Sequence, residues 1–167
     1  MTLSTSGQSR YPQTAIKTGI LAPALGHVNL EWEQHVGAGV NIVTRGGYIG
    51  VGEEYRDNSG GYFGLGLKVL TSHVDSMRFQ CTYLKPEVVF SSFSHPEYYG
   101  VKKEASSQSA LLLSVGKQNR VLNHMVVDYH VGFGFGIGDS DFAFTHARIY
   151  TRFPYVITGG ILLGFIF

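Results

Sequence analysis

Charge is scarce in this chain. Only 15% of its 167 residues are Asp, Glu, Lys or Arg, and 13 basic against 12 acidic residues leave a formal net charge of +1. A balance of that kind supplies no field for a polyanion, so nucleic acid is not an expected partner. Cysteine is nearly missing. Cys81 stands alone, which excludes an internal disulfide and leaves the thiol as a small apolar filler. No apolar run approaches the roughly 18 residues of a membrane helix, and no stretch keeps a helical period. The polar segment Thr2 to Gln13 has no apolar core of the kind a signal peptide needs. An exported chain requires such a leader, and for one the sequence is expected to be a mature or trimmed form with Met1 added for expression. No repeat of 20–50 residues and no domain linker is visible.

What the chain does have is glycine, 22 residues of it, aromatics at 13%, and alternation. Reading every second residue back from the end gives Phe167, Phe165, Leu163, Ile161, Gly159, Ile157 and Tyr155, an apolar face with aromatics at both ends. About ten residues with such a face match a bilayer-spanning strand. A water-exposed edge strand of this kind invites aggregation. Eight strand-like segments are expected, near 14–25, 28–36, 38–51, 61–72, 77–93, 107–117, 121–138 and 155–167. The connections after the third, fifth and seventh are long (53–60, 94–106 and 139–154), and those after the second, fourth and sixth are short. Long outer loops with short inner turns are the habit of outer-membrane barrels. Residues 1–13 read as a flexible N-terminal segment and 14–167 as the barrel.

The seventh segment alternates most strictly: Met125, Val127, Tyr129, Val131, Phe133, Phe135 and Ile137 against His124, Val126, Asp128, His130 and three glycines. In the fifth, Leu84, Val88 and Phe90 oppose Lys85 and Glu87, while Phe79 to Tyr83 alternates in the other phase, which calls for a bulge or a position outside the lipid band. The third segment, with Gly46-Gly47 and Gly50, is the weakest.

Sorting the ionisable residues by face is decisive. Lys17, Glu31, Glu33, Lys68, Lys85, Glu87 and Asp128 all fall opposite the apolar side, with His35, His124 and His130 alongside, giving three positive and four negative charges. The interior of an eight-stranded barrel is just wide enough for side chains to fill, and a nearly neutral set can pair across it. A soluble ligand-binding barrel has the inverse arrangement. The fold class expected is therefore all-β, an eight-stranded antiparallel up-and-down transmembrane β-barrel.

Several stretches also carry a family likeness: Ile16-Lys17 through Pro23 followed by Leu30-Glu31-Trp32-Glu33, Tyr83-Leu84-Lys85-Pro86-Glu87, Gly116-Lys117-Gln118 running into Asp128 through Gly136, and the terminal Leu163-Gly164-Phe165-Ile166-Phe167. With them the chain resembles small outer-membrane β-barrel proteins of the Bacteroidota, of the broad outer-membrane-protein-A-like type. The resemblance implies insertion by the outer-membrane assembly machinery, which reads a C-terminal strand ending in an aromatic, here Tyr155, Ile161, Leu163, Phe165 and Phe167. It implies no catalytic residue.

Specific chemistry finds little footing. Gly132 to Gly138 has a strict period of two and no following helix, unlike a nucleotide-binding loop. His124 and His130 lie six residues apart, about 20 Å along a strand, too far to share one metal ion. Asp128 with His130 reads as a self-satisfied polar pair. Enzymatic candidates are His73 with Ser72 or Ser76, and His146 with Thr145 and Asp141, none forming a recognisable signature. The Lys102-Lys103 loop reads as solvated. The expectation is a non-enzymatic barrel without cofactor or metal, in contact with outer-membrane lipid and lipopolysaccharide and with other outer-membrane proteins, either as an accessory subunit or as a stand-alone envelope protein. A small-solute pore and a lipid-modifying enzyme are the rival functions.

Overall fold

The computed structural model describes residues 13–51, 59–74, 77–96, 103–138, 148–152 and 155–167. The strands are β1 (Thr14–Gly19), β2 (His27–Gly37), β3 (Val40–Ile49), β4 (Ser59–Val74), β5 (Met77–Pro96), β6 (Lys103–Leu122), β7 (Met125–Gly138), β8 (Arg148–Arg152) and β9 (Tyr155–Ile166). Each pairs antiparallel with its neighbours in the order β1 to β7, then β9, and β1 pairs back onto β9. Eight strands thus close an up-and-down barrel, and short β8 lies along the start of β9. At the seam the Thr14 N–H donates to the Phe167 carbonyl at 3.1 Å and the Phe167 N–H to that of Thr14 at 3.0 Å. Closure leaves the barrel no long open edge.

The long connections gather at one end, here the loop end, and the β2–β3, β4–β5 and β6–β7 connections at the other, the turn end. The β2–β3 turn is Gly37-Ala38-Gly39, all three with positive φ, and its flanking glycines meet that demand at little cost.

Some expected boundaries move. The first strand ends at Gly19 rather than near 25, because Pro23 opens a 3-10 turn that closes on left-handed Gly26. The sixth begins at Lys103 and runs to Leu122, so Asn123-His124 is a turn and the seventh strand starts at Met125. Strand pairing up to Pro96 and from Lys103 shortens the connection expected over 94–106. From Phe79 to Phe93 the alternation of β5 is continuous. Phe79, Cys81, Tyr83, Lys85, Glu87, Val89, Ser91 and Phe93 are all buried on one face. Against β4 the register shifts twice: between Leu70 and Ser72 the extra residue is Thr71 in β4, and between His73 and Val74 the extra residues are 78–80, at the start of β5. Of the segment expected to be flexible, 1–13, all but Gln13 lies outside the described residues.

The two faces differ sharply. Leu30, Phe63, Leu65, Leu67, Leu111, Leu113, Val131, Phe133 and Phe135 point outward and are 45–57% exposed. On the outward positions of β1–β4, of β5 from Gln80 to Ser92, of β6 from Ala105 onward, and of β7 and β9, Lys117 is the one ionic side chain among the described residues. Phe133, Phe135 and Tyr155 cluster on the outside, with ring centroids 5.3–6.0 Å apart.

Candidate functional site

The inward face holds the ions. Lys17, Glu31, Glu33, Arg45, Lys68, Lys85, Glu87 and Asp128 are each no more than 3% exposed. The Lys17 ammonium on β1 touches three carboxylates: Glu31 at 2.7 Å, Asp128 at 2.9 Å, and Glu33. From β4, Lys68 Nζ meets Glu33 and Asp128, both at 2.8 Å, and donates to Gln118 Oε1 at 2.9 Å. Tyr83 donates its hydroxyl to Asp128 Oδ1 at 2.5 Å, and its ring lies under Lys68 Nζ, 4.1 Å from the centroid. Asn41 donates to Glu33 and bonds His35 Nδ1 at 2.8 Å. Toward the loop end, Lys85 Nζ lies 3.3 Å from both Glu31 and Glu87, and Arg45 Nε lies 2.9 Å from Glu87.

Seven strands contribute to one connected network, which therefore ties the barrel wall across its own diameter. Taking an ion out of water costs several kcal/mol, and only close pairing with further hydrogen bonds offsets it. Here every ion has at least one opposite charge in contact. The carboxylates of Glu31, Glu33 and Asp128 converge within 4.8 Å, a spacing that suits a cation, and the Lys17 ammonium touches all three.

Apolar layers bracket the ions. At the loop end Ile49, Tyr62, Val89, Phe93, Ala110, Leu112 and Val156 pack together, and at the turn end Ala15, Phe79, Val126 and Ile166. Inward glycines seat large neighbours. A Cβ on Gly164 would fall 2.3 Å from Lys17 Cγ, and one on Gly116 2.4 Å from the Tyr83 ring. Gly116→Ala is thus expected to displace Tyr83 and lengthen its bond to Asp128. Ultraviolet absorbance of tyrosine during thermal unfolding in detergent would report the change as a lowered midpoint.

Of the ten residues expected in the lumen, Lys17, Glu31, Glu33, Lys68, Lys85, Glu87 and Asp128 meet in the network. His35 joins through Asn41, half-buried near the turn end. His130 lies on the inner wall, where its Nδ1 is buried without a hydrogen-bond partner among the described residues. His124 is the exception. It sits exposed in the β6–β7 turn, where strand parity no longer governs direction. Tyr155, Ile161, Phe165 and Phe167 are exposed on the outer face, and Leu163 shares that face.

Sequence reading missed Arg45, Asn41, Tyr83 and Gln118. The signal for Arg45 was its parity with Asn41, Val43 and Ile49, hidden by Gly46-Gly47. With Arg45 the buried set holds four cations and four anions. Of the enzymatic candidates, Ser72 lies near the turn end with its hydroxyl 2.6 Å from that of Thr82. Ser76, Asp141, Thr145, His146 and Lys102 fall outside the described residues. No protein-family model, no curated protein and no solved structure matches this chain.

Proposed function

We propose that this chain is an integral outer-membrane β-barrel of a Gram-negative bacterium, of the kind found in the small Bacteroidota barrels its sequence resembles. It acts without catalysis, as a structural or accessory subunit of an outer-membrane complex or as a stand-alone envelope protein. The observation that carries this reading is the inversion of faces: a charge-balanced ion network inside and a nearly uncharged hydrocarbon surface outside. Water rewards the opposite arrangement. Lipid demands a closed ladder, because it offers backbone groups no hydrogen-bond partner. Lipid, lipopolysaccharide, the insertion machinery and neighbouring outer-membrane proteins are then its partners.

The filled lumen favours this role over a small-solute pore. An ion crossing the barrel would have to push through both apolar layers and the interlocked network between them. The purified barrel in planar lipid bilayers is expected to give no stable conductance steps, and reproducible steps would restore the pore reading. Mild detergent extraction from the native membrane tests the role itself. The subunit reading predicts recovery with stoichiometric protein partners, and the stand-alone reading recovery as a single barrel. Release into the soluble fraction without detergent would contradict both.

A further inference from the structure

A second polar feature lies in the wall at the loop end. The Ile20 N–H reaches the Ile161 carbonyl at 3.2 Å as β1 gives out, and β8 meets β9 only as far as Thr158. Between these points, among the described residues, neither β1 nor β8 is in register with Gly159 or Gly160. Behind the two glycines is a cavity of about 50 Å³ that reaches from His27, Asn29, Arg45 and His130 inside to Leu21 and Ile161 at the outer surface. That is room for several waters or one small oxyanion.

Buried hydrogen-bonding nitrogens are nearly always paired. Two on residues that line this cavity have no hydrogen-bond partner among the described residues: Arg45 Nη2, on a side chain only 3% exposed, and His130 Nδ1. Arg45 lies against Glu87 through Nε at 2.9 Å, and its Nη2, with two N–H donors, is left for another acceptor. Glu87 also has Lys85 at 3.3 Å, so it does not depend on Arg45 alone for a counter-charge. A guanidinium edge with two N–H donors matches the oxygens of a phosphate or carboxylate.

We infer that this cavity is an oxyanion site. It takes a single phosphate group that enters sideways between β1 and β9, with Arg45 as the anchor and His130 as the second contact. Free phosphate and the headgroup of a phospholipid share this chemistry. The outward Leu21 and Ile161 at the mouth would flank the acyl chains of the latter. The site goes beyond the envelope role proposed above. Its free-phosphate form stands whether or not the barrel resides in lipid, and only its headgroup form rests on that reading.

The test uses the full chain in maltoside micelles, titrated with inorganic phosphate and followed by phosphorus NMR line width. In parallel, native mass spectrometry looks for lipid retained from nanodiscs of phosphatidylglycerol or of a phosphate-free galactolipid. Gly160→Val fills the cavity without touching a charge, since a Cβ there already comes 3.3 Å from His130 Cε1. Gly160→Ala serves if the larger variant does not fold, and Arg45→Gln removes the anchor. The parent is expected to bind one phosphate group per chain, and the variants to bind it about tenfold more weakly or worse. A response to inorganic phosphate supports the site with a free anion. Retention of phosphatidylglycerol over galactolipid supports it with a headgroup. No binding by the parent in either arm, equal retention of galactolipid, or undiminished binding in the variants overturns the proposal. Membrane extraction tests the location separately, so the two failures cannot be confused.

Discussion

Glu33→Ala is expected to cost the barrel about 3–5 kcal/mol, the penalty for stranding a buried charge by removing its partner. Glu33 is fully buried and holds Lys17, Lys68 and Asn41 at once. Its loss leaves two ammoniums to share Asp128 and Glu31, and leaves the Asn41 amide without that acceptor. Heat- or urea-induced unfolding in detergent would show the loss as a lowered midpoint. Adding Lys68→Met to Glu33→Ala should return some of the stability, because it removes a charge that the first change exposed. A double-mutant cycle isolates that coupling. Additive losses, or a Glu33→Ala barrel as stable as its parent, would mean that the network does not hold the wall together.

The outward face gives the second large effect. Leu113 sits near the middle of β6, 51% exposed, and is paired with Pro86 on one side and Phe133 on the other. In water, replacing such a residue with arginine is close to neutral, within about 0.5 kcal/mol. On the lipid face of a barrel near the bilayer midplane it costs about 2–4 kcal/mol, falling toward zero near the interface. Leu113→Arg should therefore sharply destabilise the barrel in lipid. An arginine at Lys117, four residues nearer the turn end and already cationic, should be tolerated. Equal tolerance at both positions in lipid vesicle unfolding would place the apolar band in contact with something other than acyl chains.

Much of the barrel was legible in the sequence because strand period and face chemistry coincide. In β7, large apolar residues and glycines alternate so strictly that both direction and face follow from the residues alone. Where they diverge, reading fails for identifiable reasons. Phe79 and Tyr83 are aromatics that point inward, so β5 looked out of phase although its alternation is continuous. Ile20 and Leu21 continue the apolar run past Gly19, although the chain has already turned toward Pro23. Arg45 vanished behind two glycines, and with it the fourth cation that balances the interior.

Which cation meets which carboxylate lay beyond any single strand. Lys17 and Asp128 are 111 residues apart, and their contact depends on the tilt and stagger of a closed sheet. The cavity behind Gly159-Gly160 was hidden for a similar reason, since it arises from where β1 and β8 stop along β9 rather than from a motif.

The proposed envelope role rests on contact between the apolar outer face and hydrocarbon. Spin labels placed singly at Leu65→Cys, Leu113→Cys, Phe133→Cys and Lys117→Cys, in a Cys81→Ser background reconstituted into lipid vesicles, measure this directly through collisions with dissolved oxygen and with a water-soluble nickel complex. A lipid-facing surface predicts high oxygen and low nickel access at the first three sites, shifting toward nickel at Lys117. High nickel access at all four sites would show a barrel bathed in water and contradict it.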